Sequence, residues 1–265
     1  MISEDFLTKK ANHDRIDKTV IIREYLQLVF LNYFYQKNKE IYFKGGTAIR
    51  FLFNSFRFSE DLDFTCKNKN EDVLKYLRTI IPLVENESGF EVDLEAEKKY
   101  KELGRRYTLK FQPNKLLKQT LRIKLDFSFR EKPLEITSSL LQMADYPISL
   151  MSVIQSCSKE EILAEKIRAM FTRNKPRDLF DLWFLLKQNT LIDWQFVIEK
   201  MKYYPEIKYS FEILLEILNK TDPKTFERDL GQFLPEQYRE IYPLLISETI
   251  EMVKKASDSL SPFRE

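Results

Sequence analysis

Residues Phe43 to Phe64 read FKGGTAIRFLFNSFRFSEDLDF, and the fold turns on how this stretch is read. The chain has five glycines in 265 residues, and two of them, Gly45 and Gly46, stand side by side here. Residues 47–60 separate that pair from Asp61, Leu62 and Asp63. The glycines predict a turn opening into a short helix over TAIRFLFNSF, which has an apolar face. EDLDFTC alternates apolar and polar residues and predicts a strand. On a strand, Asp61 and Asp63 share one face while Leu62 and Phe64 point to the other, into a core.

Two carboxylates one strand-step apart repel each other, and a divalent cation between them is the economical compensation. Asp-x-Asp taken alone is usually a solvated polar face. Asp126, in RIKLDFSF, lies on the polar face of a strand whose other face is wholly apolar. Set beside the first pair it would complete three carboxylates, enough to hold two metal ions. Gly45, Gly46 and Thr47 would stand at a helix N-terminus. Free N–H groups and the helix dipole there favour an anion such as a phosphate, with the Thr47 hydroxyl as a further donor.

Composition narrows the chemistry. The single histidine is His13, in a polar N-terminal segment, so a Ser-His-Asp hydrolase or a His-ligated zinc site is not expected. Catalysis must then rest on carboxylates, Lys and Arg, with hard metal ions as natural cofactors. The 43 basic and 41 acidic residues nearly balance, so any nucleic-acid contact needs a local patch. Cys66 and Cys157 lie far apart in sequence and fit a reducing compartment. No apolar run approaches the roughly 20 residues that span a bilayer. MISEDFLTKK lacks a secretory apolar core, so the expected location is the cytoplasm and no membrane partner is expected.

Along the chain, residues 17–37 place Val20, Ile21, Tyr25, Leu28 and either Leu31 or Asn32 at helical spacing and predict an amphipathic helix. NEDVLKYLRTIIPLVENE predicts another, capped by Asn70. FEVDLEAE, RYTLKF and LRIKLDFSFR alternate and predict strands of one sheet with one buried face each. Beyond about residue 147, five stretches read as helices: SKEEILAEKIRAMFTR, KPRDLFDLWFLLKQ, DWQFVIEKMKYY, SFEILLEILNK and YREIYPLLISETIEMVKKA. Prolines punctuate them. The expected organisation is an α+β domain over residues 1–146 and an all-helical domain over 147–265. Lys98, Lys99, Lys101, Arg105 and Arg106 cluster at a turn between two predicted strands. A charged turn is the default meaning of such a cluster, and an RNA backbone contact is the sharper one.

The glycine pair, short helix and Asp-Leu-Asp strand together resemble the nucleotidyltransferase superfamily with the polymerase-β-like fold. FKGGTAIRFLF and RFSEDLDF more narrowly resemble the AbiEii/AbiGii nucleotidyltransferase toxins. Those toxins also show a Leu-Ala-x-Lys helix and an Arg-Asp-x-x-Asp-Leu segment. Here these are matched by Leu163, Ala164 and Lys166, and by Arg177, Asp178, Asp181 and Leu182. The resemblance covers about residues 17–190. Gly46 departs from the serine of many superfamily members, and the glycine-to-aspartate gap is longer than in many nucleotidyltransferases.

The resemblance implies a mixed sheet in the N-terminal domain and transfer of a nucleotide from an NTP. It implies Mg2+, with two ions on Asp61, Asp63 and Asp126, and phosphate contacts from Gly45, Gly46 and Thr47. Lys166 and Asp178 are implied as site residues. By spacing, Lys166 and Arg173 share a helix face from which both could reach a triphosphate, and Arg177 and Asp181 could pair on a helix surface. A tRNA 3′ end is the implied acceptor, with an antitoxin as partner. A protein hydroxyl as acceptor, and a nucleotide- or RNA-binding module without turnover, are the alternatives.

Overall fold

The computed structural model describes residues 1–68, 72–97, 103–141, 145–149 and 151–256. The chain forms two compact units, Met1–Cys157 and Ser158–Glu265.

The first unit opens with two helices, α1 (Glu4–Asp14) and α2 (Lys18–Lys37). The Ser3 side chain caps α1 and the Asp17 side chain caps α2. Helix α1 arises in the segment that reads only as polar in sequence. Strand β1 (Ile41–Lys44) runs directly into α3 (Gly45–Phe53). Strand β2 (Leu62–Cys66), helix α4 (Val73–Ser88), and strands β3 (Val92–Ala96), β4 (Gly104–Phe111) and β5 (Leu121–Ser128) follow. Asp72 caps α4, whereas Asn70 lies outside the described residues. Two further strands, β6 (Ile136–Leu140) and β7 (Val153–Cys157), join the sheet although neither is predicted from sequence.

The seven strands make one mixed sheet in the order β3-β4-β5-β2-β1-β7-β6. β2 runs antiparallel to β1 and parallel to β5, and β1 runs parallel to β7. One buried level of this sheet is a row of phenylalanines: Phe43, Phe64 and Phe127 are register partners on β1, β2 and β5. Phe64 and Phe127 stack with ring centroids 4.7 Å apart, and Phe34 of α2 covers both at 5.3 and 6.0 Å. Such ring pairs each contribute about 0.5–1.5 kcal/mol beyond their burial. Helix α2 is not the one-sided helix that its spacing predicts. It packs against the sheet and α4, and Glu24, Gln27 and Asn32 are buried along with its apolar residues.

The second unit is helical: α5 (Lys159–Thr172), α6 (Pro176–Lys187), α7 (Trp194–Met201), α8 (Phe211–Lys220), α9 (Thr225–Leu230) and α10 (Leu245–Lys255). The stretch read as one helix from Tyr238 onward is broken. A 3-10 helix over Glu236–Ile241 precedes α10, and α9 is a short helix not predicted from sequence. Pro243 explains the break, since it lacks the N–H a continuous helix would need. Among the described residues, no helix is long and apolar enough to cross a membrane. Cys66 and Cys157 are buried and not disulfide-bonded.

Candidate active site

The phenylalanine row has a charged counterpart one residue along on the opposite face of the same strands. Lys44 of β1 pairs in register with Asp63 of β2, Asp63 with Asp126 of β5, and Asp126 with Arg106 of β4. Four neighbouring strands therefore present base, acid, acid, base at one level. The side-chain period of two produces this directly, because residues beneath the charged row must face the core. Asp61 lies just before β2 and is half-buried, as is Asp63.

Gly45 closes on this row from the end of β1. Its φ is +78°, a left-handed conformation that glycine adopts at little cost. A Cβ placed there would lie 3.0 Å from both Cβ and Cγ of Asp63 and closer still to Oδ2. The glycine thus lets the helix start come down onto the carboxylate. Gly45, Gly46 and Thr47 make the first turn of α3, whose N–H groups have no acceptors within the helix.

The long gap between glycine and aspartate is tied down rather than loose. Buried Gln27 donates to the carbonyls of Ser59 and Glu60 at 3.1 and 2.9 Å. Arg50 donates to the Ser55 carbonyl at 2.6 Å and holds Glu24 through two nitrogens at 2.5 and 3.1 Å. Tyr146 donates to the same Glu24 carboxylate at 2.5 Å. Burial, then the Glu24 charge, push the Tyr146 hydroxyl well above its ordinary range. Thr47 is buried and donates its hydroxyl to the main-chain carbonyl of Asp61. That hydroxyl therefore fixes the start of β2 against α3, a role its place after the glycines does not suggest.

The acidic pair has a partner that sequence reasoning missed. Arg106 donates to Oδ2 of Asp126 from Nε at 3.0 Å and from Nη2 at 2.5 Å. Its Nη1 reaches Glu97 at 3.4 Å. The signal was the parity of RYTLKF, which puts Arg106 on the polar face. The register that sets it beside Asp126 is not legible in either segment alone. Of the basic cluster, Lys98, Lys99 and Lys101 lie outside the described residues.

The donor set suits a hard divalent ion in kind: carboxylates on one face, two of them in register on adjacent strands. Among the described residues, no group of three or more His, Cys, Asp or Glu side chains is placed to hold a metal ion.

Lys166 and Asp178 belong to the second unit, in a buried ion network. Lys166 Nζ lies 2.7 Å from Asp181 and 3.4 Å from Asp178. Arg173, the C-cap residue of α5, holds Asp178 through two contacts of 2.7 Å. Lys166 and Arg173 therefore converge on one carboxylate, and Asp181 is buried with Lys166 instead of pairing on the helix surface. Burial alone would raise the Asp178 carboxyl, but Lys166 and the two-pronged Arg173 outweigh it and hold the group well below the usual carboxylate range. A carboxyl depressed by folding stabilises above its unfolded value and loses that contribution as pH falls toward its folded value. The stability of wild type, followed by urea unfolding from about pH 5 downward, should therefore fall more steeply than that of Asp178→Asn.

Comparison with known proteins agrees with this architecture. The family model for the nucleotidyl transferase AbiEii toxin of Type IV toxin–antitoxin systems matches residues 30–256. MenT4, a nucleotidyltransferase toxin from Mycobacterium tuberculosis, superposes with a TM-score of 0.64 at 17% identity, covering 100% of both chains. JHP933 from Helicobacter pylori superposes at 0.56 with 22% identity, covering 92% of this chain and 94% of its own. A further H. pylori structure reaches 0.60 at 23% identity, covering 94% and 100%. At these identities the likeness is one of fold. No curated protein matches the chain. The family match spans most of the chain, including the glycine turn, the charged row and the buried network, and the chain belongs to the AbiEii family of nucleotidyltransferase toxins.

Proposed function

We propose that this nucleotidyltransferase moves the nucleoside monophosphate of an NTP onto an RNA hydroxyl, with a tRNA 3′ end as acceptor: the hydroxyl oxygen bonds to the α-phosphorus, the α–β anhydride bond breaks, and pyrophosphate leaves. The register match of Asp63 with Asp126, beside a helix that starts on Gly45, is the observation that carries the reading. Asp61, Asp63 and Asp126 would hold Mg2+, as two ions, which supplies charge neutralisation at the phosphates and lowers the pKa of a bound hydroxyl. The first-turn N–H groups of Gly45, Gly46 and Thr47 bind phosphate oxygens. The Thr47 bond to Asp61 and the Gln27 bonds to Ser59 and Glu60 hold that turn and the acids in fixed relation. Preorganisation of this kind lowers the cost of aligning an NTP for in-line attack. Asp126 takes the proton of the attacking hydroxyl. The buried phenylalanine row beneath the acids excludes water from that side.

The family implies an antitoxin partner, growth arrest as the outcome of transfer, and action in the cytoplasm. The test incubates the protein with Mg2+, each labelled NTP in turn, and total tRNA. Label should enter RNA with wild type and fall by at least about a thousandfold with Asp63→Ala. Transfer that survives this change would sink the reading, and label entering protein would reassign the acceptor. The roles that the resemblance gives Lys166 and Asp178 are tested by the same assay on Lys166→Met and Asp178→Asn, with folding checked by circular dichroism.

A further inference from the structure

Two carboxylates at one level of adjacent strands are held about 5 Å apart by the strand spacing and repel strongly unless a positive charge stands beside them. The fold provides such charges itself. Lys44 stands in register on the far side of Asp63, and Arg106 on the far side of Asp126. Arg106 does more than neighbour its acid, since two of its nitrogens fall on a single oxygen, Oδ2. The pair is not sealed: the Arg106 and Asp126 side chains are 25% and 28% exposed. A second acceptor is already in reach, because Glu97, 44% exposed, takes the third guanidinium nitrogen at 3.4 Å. Arg106 is thus shared between an acid inside the charged row and one outside it.

We propose that Arg106 is a built-in counter-cation for the acidic pair, and that a divalent ion binds by displacing it from Asp126 onto Glu97. This rests on the reading of Asp63 and Asp126 as metal ligands. The energetics allow the exchange. A cross-strand ion pair that stays about a quarter exposed to solvent is weak. A doubly charged ion interacts with both carboxylates at once, and it carries twice the charge that Arg106 brings to Asp126. In the metal-free protein the guanidinium keeps two like charges compatible with the folded sheet. Once displaced it remains beside the site, held by Glu97, as a cation available to an anionic substrate. Arg106 is a positioning residue in this scheme: it sets how readily Asp126 accepts an ion.

The test uses the full chain with its arginines labelled with nitrogen-15, and Mg2+ alone as the probe. The Nε–H resonance of Arg106 is identified by its absence from Arg106→Gln. On Mg2+ titration that resonance should move with the same midpoint as the calorimetric binding isotherm, and the movement should vanish in Asp126→Asn. Arg106→Gln should bind Mg2+ about two- to fivefold more tightly than wild type, the factor that corresponds to losing a weak, partly exposed pair. Binding that requires Asp63 but leaves the Arg106 resonance still, with Arg106→Gln equal to wild type, would overturn the proposal and leave the metal site intact. Binding that survives both Asp63→Asn and Asp126→Asn would overturn the metal site itself and the proposal with it.

Discussion

Gly45→Ala should lower nucleotidyl transfer by at least about a hundredfold, the scale expected when reacting groups are misplaced by about an ångström. Two effects combine. Alanine at a φ of +78° carries a backbone cost of about 1–2 kcal/mol. Its Cβ would also fall within 3.0 Å of the Asp63 Cβ, Cγ and Oδ2, so the carboxylate must turn aside and the Asp63 main chain must give slightly. The backbone cost is small against the stability of a domain, so the variant should remain folded. Loss of transfer with an unchanged far-ultraviolet dichroism spectrum would locate the effect in the site. Wild-type transfer by Gly45→Ala would show that the close approach of Gly45 to Asp63 has no part in the reaction.

The largest loss of stability should come from the second unit, at a residue with no motif around it. Lys200 of α7 is 1% exposed and lies 2.6 Å from Glu161 and 3.0 Å from Glu165 of α5. Lys200→Met keeps the volume and removes the charge. Two carboxylates one helical turn apart would then be buried without their cation, at a cost of about 3–5 kcal/mol in urea unfolding. The double variant Lys200→Met with Glu161→Gln should regain part of the loss, because it leaves one buried carboxylate instead of two. A cost below 1 kcal/mol at pH 8 would mean that these groups are solvated in solution.

Both expectations depend on geometry that sequence reveals unevenly. The stretch from Phe43 to Phe64 is legible because alternation fixes which side of a strand each residue takes, and because glycine is rare in this chain. The polar side of Asp126 follows from the same alternation. What alternation leaves open is which strands are neighbours and at what register. The contact of Arg106 with Asp126 is therefore invisible in sequence, as is the use of the Thr47 hydroxyl by Asp61. Helical spacing fails in a different way. α2 carries Glu24, Gln27 and Asn32 into the interior because each finds a hydrogen-bond partner there: Arg50, the Ser59 and Glu60 carbonyls, and the Ser149 carbonyl. Lys200 and Asp181 are likewise polar residues that burial can accept only because acids or a lysine wait on another helix. Strands β6 and β7 are short and β6 has no buried residue, so neither leaves a strong apolar pattern.

The order of strands also governs when the site can exist. β1 and β2 leave the ribosome early, yet the strand that sits against β2 is β5, made only after α4, β3 and β4. β1 gains its other neighbour, β7, later still. Pairings between segments so far apart in sequence form late, because the loop between them must first be closed. A nascent chain that carries the glycine turn and Asp-Leu-Asp therefore lacks Asp126, the register partner of Asp63, until β5 is made.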